Sequence, residues 1–178
     1  MRDGFGVHTA EGALGGAIGT LFLDRMMRAT HRLPEKLKPT ATREHPGEFV
    51  VSRAERLLGR PLDAPGRERL VQGLHWAYGI AWGGLFGLLT ARMRIRRLGE
   101  ALLSGAALGS AVWAVGYAGW LPLARLTPPV QRQGARHAGM SLVTHIAYGV
   151  ASAVPLYLMD RIFRKRPWYE RALDAIER

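Results

Sequence analysis

Three long segments of the chain contain no Asp, Glu, Lys or Arg. They are residues 70–91, 101–124 and 138–159, and they contain 22, 24 and 22 residues. About 20 apolar residues allow a helix to cross the roughly 30 Å hydrocarbon core of a bilayer. A soluble amphipathic helix would place charged side chains at helical intervals, and these segments do not. The pattern therefore predicts three membrane-spanning helices.

A fourth apolar segment, near the start of the chain, is less uniform. Residues 12–23 are uncharged but too few to span at about 1.5 Å per residue. A longer segment from Phe5 to Met27 takes in Glu11 and Asp24. We favour a fourth span over a signal peptide, because a strongly basic start and a small-x-small cleavage site are both missing. The predicted fold is an all-α bundle of four transmembrane helices, at about 5–28, 70–92, 99–124 and 138–162.

The polar parts of the chain connect and follow these spans. Residues 29–69 hold 9 of the 25 Lys and Arg residues and are interrupted by five prolines. Within them, residues 48–59 mix apolar and charged positions, which suits an amphipathic helix on the membrane surface or an extramembrane cap. Residues 167–178 are predicted to form a short interfacial helix. We interpret residues 1–178 as a single integral membrane domain.

A short motif occurs twice, seventy residues apart. His75-Trp-Ala-Tyr-Gly79 and His145-Ile-Ala-Tyr-Gly149 begin two windows, 75–88 and 145–158, that share six identical positions. The second and fourth spans run in the same direction, so the motif predicts two parallel, duplicated helical hairpins. Both histidines then lie near the same membrane face. The polar residues expected at that face are Asp24, Tyr78, Tyr117 and Tyr148.

Small residues recur every fourth position in the predicted spans. Glycines at this spacing allow two helix backbones to approach closely in lipid, as in a glycine zipper. The positions assigned to helix packing are Gly12, Gly16, Gly79, Gly83, Gly87, Gly105, Gly109 and Gly149.

Charge and composition narrow the classes of function. The formal net charge is +11, but acidic residues are interspersed and aromatic residues are scarce in the basic connection, so nucleic-acid binding is disfavoured. The chain has no cysteine, which excludes disulfides and thiolate metal sites. Phosphate-loop and nucleophile-elbow motifs are also missing, which leaves hydrolase, kinase and nucleotide-binding activities without support.

The basic residues also predict an orientation. Four arginines lie within residues 92–97, and six basic residues follow from Arg161 onward. Short basic loops prefer the cytoplasm, and four spans put these two regions on one side with the amino terminus. We therefore expect a multi-pass protein with both termini cytoplasmic. The basic connection 29–69 favours the opposite orientation.

One block of the chain resembles a known group of proteins. Trp113 to Pro122, the Pro128-Pro129 pair, a basic stretch and then His145-x-x-Tyr-Gly149 are similar to small bacterial inner-membrane proteins of unknown function, loosely YagU-like. The early His31-Arg32-Leu33-Pro34 also resembles that group, whereas Asp24-Arg25 departs from it. The resemblance implies a fold and a location in the bacterial inner membrane, and it transfers no catalytic residue.

Three interpretations of the histidine pair remain open. Each histidine can simply bond a carbonyl or a tyrosine hydroxyl on a neighbouring helix, while Asp24 pairs locally with Arg28 at i+4. His75 and His145 can instead bind a b-type haem as axial ligands. With Asp24 they can form a two-histidine, one-carboxylate metal site. Packing is favoured, so the expected function is a scaffold, accessory subunit or small conduit without catalysis, partnered by the bilayer and by a second copy or another membrane protein.

Overall fold

The chain is helical throughout most of the residues that the computed structural model describes, which are 2–30, 32, 34–35, 38, 42–91, 93, 95 and 97–163, and no strand occurs among them. The main helices are α1 (Arg2–Thr30), α2 (Pro46–Leu58), α3 (Ala64–Thr90), α4 (Leu98–Val115) and α5 (Ala135–Phe163). The predicted all-α class is confirmed. The predicted helix at 167–178 lies outside the described residues.

Helix α3 begins six residues before the predicted span, because the sequence provides a helix start there. Asp63 has the extended backbone typical of a residue that precedes a helix, and Pro65 lies in the first turn. Proline suits that position because its missing N–H would have no partner there and its φ angle is already helical. The added residues include Arg67, which binds α2 as described below.

A π-helical turn, Gly116–Trp120, follows α4 and leads into a short helical stretch, Leu121–Leu123. The Leu121 N–H bonds the carbonyl of Gly116, five residues earlier. Pro122 follows and has no N–H to donate, so it adds no helical hydrogen bond, and the Ala124 N–H then donates to the Trp120 carbonyl at 2.8 Å. The sequence placed Pro122 in the last turn but did not predict the wider π turn before it.

The four long helices form two closely packed pairs. Helix α1 lies along α3, α4 lies along α5, and α1 also packs against α5. A core of buried side chains joins the pairs, with Phe86 of α3, Leu108 and Val112 of α4, and Tyr148 and Leu156 of α5.

Glycines make the contact within the first pair. A Cβ atom on Gly16 of α1 would lie 2.9 Å from the Cα of Gly83 on α3. Gly12 faces Gly83 and Gly87 in the same way, and Gly79 faces Thr20. Any larger side chain at these positions would push the two backbones apart.

The second pair repeats this arrangement. A Cβ atom on Gly149 of α5 would lie 2.9 Å from the Cα of Gly109 on α4. Gly105 faces Gly149 and also Ala153, whose Cβ would be 2.9 Å from a Cβ added to Gly105. Every glycine that the sequence assigned to packing therefore lies at one of these two helix contacts.

The connection between α1 and α3 is attached to the end of the bundle. The Arg43 N–H donates to the Leu126 carbonyl at 2.9 Å, and His137 Nδ1 lies 2.6 Å from the Lys38 carbonyl. Leu126 lies between α4 and α5, and His137 lies in the first turn of α5. Helix α2 covers this end and buries Val51 completely.

Helix α2 is also fastened to the start of α3. Arg67 forms an ion pair with Glu55 of α2 and donates to Ser52 Oγ at 2.7 Å. Glu55 further accepts the Leu62 N–H at 2.9 Å. This backbone bond, with the charge of Arg67, lowers the pKa of Glu55. The amphipathic segment is thus a cap on the bundle.

Two helices are long and apolar enough to cross a membrane, within the part of the chain that the structure describes. They are Leu98–Leu123 and Ala135–Met159, and only 39% of the most apolar window of each is buried. Large apolar side chains are exposed on α1 and α3 as well. Examples from the four long helices are Leu14, Ile18, Phe22, Leu85, Leu88, Leu89, Leu102, Leu103, Val143 and Leu158.

Candidate functional site

A cavity of about 300 Å³ lies at the end of the bundle that α2 covers. All five helices contribute to its wall, and both His75 and His145 line it. Its volume is at the lower end of the range for small-molecule sites. Most of the wall is apolar, and the polar groups in it come chiefly from histidine, tyrosine and threonine. The structure thus brings the two repeated motifs together at one site.

His75 of α3 is held by a carboxylate from α1. Its Nε2 atom lies 2.9 Å from Asp24 Oδ1, and both side chains are partly buried. A carboxylate only accepts hydrogen bonds, so Nε2 carries the proton that is shared with Asp24. In the neutral ring, Nδ1 is then an acceptor. The partner of Asp24 is therefore His75, on another helix, rather than the expected Arg28.

His145 of α5 is held differently. Its Nδ1 atom lies 2.7 Å from the Ser141 carbonyl of the preceding turn. A carbonyl accepts, so Nδ1 carries the proton and Nε2 of the neutral ring is an acceptor. The ring lies 6.1 Å, centre to centre, from the ring of Tyr117 on α4. His145 is thus held by its own helix and lies beside an aromatic ring.

The two tyrosines of the repeated motif also differ. Tyr148 is 3% exposed, and its hydroxyl donates to the Gly79 carbonyl of α3 at 2.7 Å. Tyr78 is 42% exposed and packs edge-on against Trp82. Both line the cavity. The hydroxyl of Tyr148 therefore links α5 to α3 across the site.

The π turn forms one wall of the cavity through Gly116, Tyr117 and Trp120. A Cβ atom on Gly116 would lie 3.2 Å from the Tyr78 hydroxyl, so glycine leaves room for that side chain. Tyr117 donates its hydroxyl proton to Gln133 Oε1 at 2.7 Å. π turns are rare and frequently occur at functional sites.

Two polar side chains of the site were not singled out from the sequence. His45 and Thr20 both line the cavity. His45 precedes α2, and its Nδ1 accepts the Gly47 N–H at 3.2 Å. The His45-Pro46 pair is a recognisable helix start, because proline favours the first helical position. That signal would have placed a third histidine at the start of the capping helix.

The structure bears differently on the two ligand interpretations of the histidine pair, a metal ion and a haem. Among the described residues, no group of three or more His, Cys, Asp or Glu side chains is placed to hold a metal ion. The two-histidine, one-carboxylate arrangement is therefore not found there. Haem requires only the two imidazoles, and both line one cavity, but a volume of about 300 Å³ is small for a tetrapyrrole.

Searches of protein-family models, of curated proteins and of solved structures find no match to this chain.

Proposed function

We propose that this chain is a four-span protein of the bacterial inner membrane, without catalysis of its own, that holds or passes a small molecule at one membrane face. The observation that carries the proposal is the cavity lined by both histidines. A plain scaffold would have no need for a cavity lined by polar groups from two repeated motifs.

The path of the chain supports four spans. If α4 and α5 cross the bilayer, the segment between them lies at one face, and the connection bonded to Leu126 and His137 lies there too. Helix α3 starts at that connection and leads through Met93 to the start of α4, at the opposite face. Helix α3 must then cross as well. Helix α1 lies antiparallel against α3 along its glycine contact, so it crosses with it.

The outer surface supports a membrane over an aqueous environment. Soluble monomers rarely expose extended apolar patches, because exposed apolar area favours aggregation. Helices α1, α3, α4 and α5 all expose large aliphatic side chains, whereas buried core helices of a soluble protein would not. A bilayer around all four helices would cover these side chains.

The glycine contacts favour a small-molecule function over docking. Glycine faces can bind a partner helix only if they are free. Here Gly12, Gly16 and Gly83 pack against each other, and Gly109 packs against Gly149. A second copy or another membrane protein would have to use other surfaces. The proposal also includes the duplicated hairpins, the loose similarity to YagU-like proteins and both termini in the cytoplasm.

Single cysteines test the four-span topology, because the chain has no cysteine of its own. We would place one each at Arg60, Met93 and Gln131 and label intact cells with an impermeant thiol reagent. Four spans predict the same accessibility at 60 and 131 and the opposite at 93. If only α4 and α5 cross the bilayer, the cysteines at residues 60 and 93 should have the same accessibility to the reagent. Equal labelling at all three positions would contradict membrane insertion.

The haem alternative is tested by the absorbance of protein purified from native membranes. A Soret band that disappears in both His75→Ala and His145→Ala would favour haem. A site for a small molecule other than haem predicts that no such band is seen.

A further inference from the structure

We propose that the cavity binds a small organic ammonium ion, a protonated amine with an apolar body. This inference rests on the proposed membrane function and deepens it by naming the chemical class of the ligand. Three observations support it. Most hydrogen-bond donors of the cavity wall are already bonded to acceptors within the protein, aromatic rings surround the cavity, and the carboxylate of Asp24 lies behind His75.

The polar groups of the wall present mainly acceptors. The hydroxyl protons of Thr20, Tyr117 and Tyr148 are donated to the protein, to Gly16, Gln133 and Gly79 respectively. The direction of the Tyr117 bond is fixed, because the Gln133 amide nitrogen donates to the Pro128 carbonyl and leaves Oε1 to accept. Each of these hydroxyl oxygens therefore keeps only lone pairs for a ligand.

The two imidazoles add acceptors of the same kind. His75 uses its Nε2 proton on Asp24, and His145 uses its Nδ1 proton on the Ser141 carbonyl. The second nitrogen of each neutral ring accepts. Among the described residues of the wall, three side chains keep a donor. The Tyr78 hydroxyl and the Trp120 indole N–H lie together next to Gly116. His45 adds its Nε2 proton, because its Nδ1 accepts a bond from the start of α2.

A ligand that satisfies such a wall must donate hydrogen bonds. An ammonium group does so with up to three protons and cannot accept. None of the described residues lining the wall is a Lys or Arg that would hold an anion, although the whole chain carries a net charge of +11. Asp24, directly behind His75, supplies a negative charge close to the site.

The aromatic residues suit a cation with an apolar body. Tyr117, Trp120 and Tyr148 line the cavity. The faces of such rings attract ammonium ions, most strongly in sites from which water is excluded. The same rings and the aliphatic wall provide the apolar surface for the rest of the molecule.

The test uses the purified full-length protein in a non-ionic detergent and isothermal titration calorimetry. The probes are 2-phenylethylammonium, its N,N,N-trimethyl derivative and phenylacetate. We expect saturable one-site binding of 2-phenylethylammonium, and at least tenfold weaker binding of the other two. Equal binding of phenylacetate would overturn the choice of a cation. Equal binding of the trimethyl derivative would overturn the hydrogen-bond assignment.

Matched variants locate the binding. Asp24→Asn keeps the size of the side chain and removes its charge, and we expect at least a tenfold loss of affinity for 2-phenylethylammonium. Glu68→Gln removes an exposed carboxylate that does not line the cavity, and its affinity should equal that of the wild type. An Asp24→Asn variant that melts at the wild-type temperature and binds equally well would overturn the inference.

Leu74→Trp provides an independent check, because it fills the cavity and replaces a side chain that forms no hydrogen bond. Binding of every probe should be lost, and retained binding would mean that the ligand sits elsewhere. The cysteine labelling distinguishes the two proposals. If the labelling gives four spans while no ammonium binds, the ligand class is wrong and the membrane topology stands.

Discussion

The two helix pairs share a backbone arrangement and differ in chemistry. In both, a glycine contact brings the helices together beside a His-x-x-Tyr-Gly motif, and an added Cβ would meet backbone atoms of the partner helix. The position eight residues after Gly16 is Asp24, whereas the position eight residues after Gly105 is Trp113. His75 therefore meets a carboxylate from its partner helix, and His145 bonds its own helix beside the ring of Tyr117, which stacks on Trp113.

This difference shows that the motif specifies packing and that the partner helix specifies the chemistry of the site. The glycine and histidine positions bring two imidazoles to one cavity. The carboxylate comes from α1, and the aromatic surface comes from α4 and its π turn. An identical pair of halves would have given a site with either two carboxylates or none.

The largest expected effect on stability comes from disrupting the glycine contacts that both helix pairs share. Gly83→Leu and Gly149→Leu each force two backbones apart, and each should lower the free energy of unfolding by about 3 kcal/mol or more. Gly73→Leu is the matched control, because nothing lies within 4 Å of an added Cβ there. Thermal unfolding in detergent measures all three. A stable Gly83→Leu protein would show that α1 and α3 do not depend on close approach.

The next effect should appear in the first pair alone. Asp24→Ala removes the hydrogen-bonded partner of His75 and should cost about 2 kcal/mol, the usual contribution of a hydrogen bond to a charged group. Nitrogen NMR of the imidazoles should show a changed proton position at His75 and an unchanged one at His145. A simultaneous change at His145 would mean that the two rings act as one unit.

A smaller effect distinguishes the two tyrosines of the motif. Tyr148→Phe loses the bond to the Gly79 carbonyl and should lower stability by about 1 kcal/mol, a typical net value for one hydrogen bond. Tyr78→Phe should change stability by less than about 0.5 kcal/mol, because Tyr78 is half exposed. If the two variants lost the same amount of stability, the two tyrosines would not differ in their contribution to the fold.

The smallest effect concerns the cap that α2 forms over both pairs. The lowered pKa of Glu55 means that the folded cap favours the ionised carboxylate. Its contribution is present above the unfolded pKa of about 4.3 and is lost as the pH falls through the lower folded value. The labelling rate of a cysteine at Val51, divided by the rate for the same variant in denaturant at the same pH, should therefore rise in that acidic range. In Glu55→Gln the reactivity should be higher at neutral pH and should not change across that range beyond the intrinsic titration of the thiol.

Part of this structure followed from the sequence because the determining pattern is local. Uncharged runs and glycines at every fourth position are local sequence patterns, so the helices and the packing glycines could be predicted from the sequence. The repeated motif also placed His75 and His145 at one level. The helix starts at Pro46 and Pro65 are equally local signals, and they would have set the ends of α2 and α3.

The rest depended on contacts between distant segments. The Asp24 partner is 51 residues away, and the local alternative Arg28 was closer in sequence. The π turn before Pro122 and the position of His45 at the cavity depend on how α2, α3 and α4 meet. The sequence pattern within one segment carries no information about how distant helices pack together. The shape of the site therefore could not be predicted.

The bond from Tyr148 to the Gly79 carbonyl has a consequence for biosynthesis. Its two ends are 69 residues apart, and α5 leaves the ribosome after the other four helices. Helices α1 and α3 can pair while synthesis continues, but this bond forms only after α5 has joined them. The cavity is therefore completed late in assembly, and a chain truncated before α5 would lack His145 and Tyr148 and could not form the site.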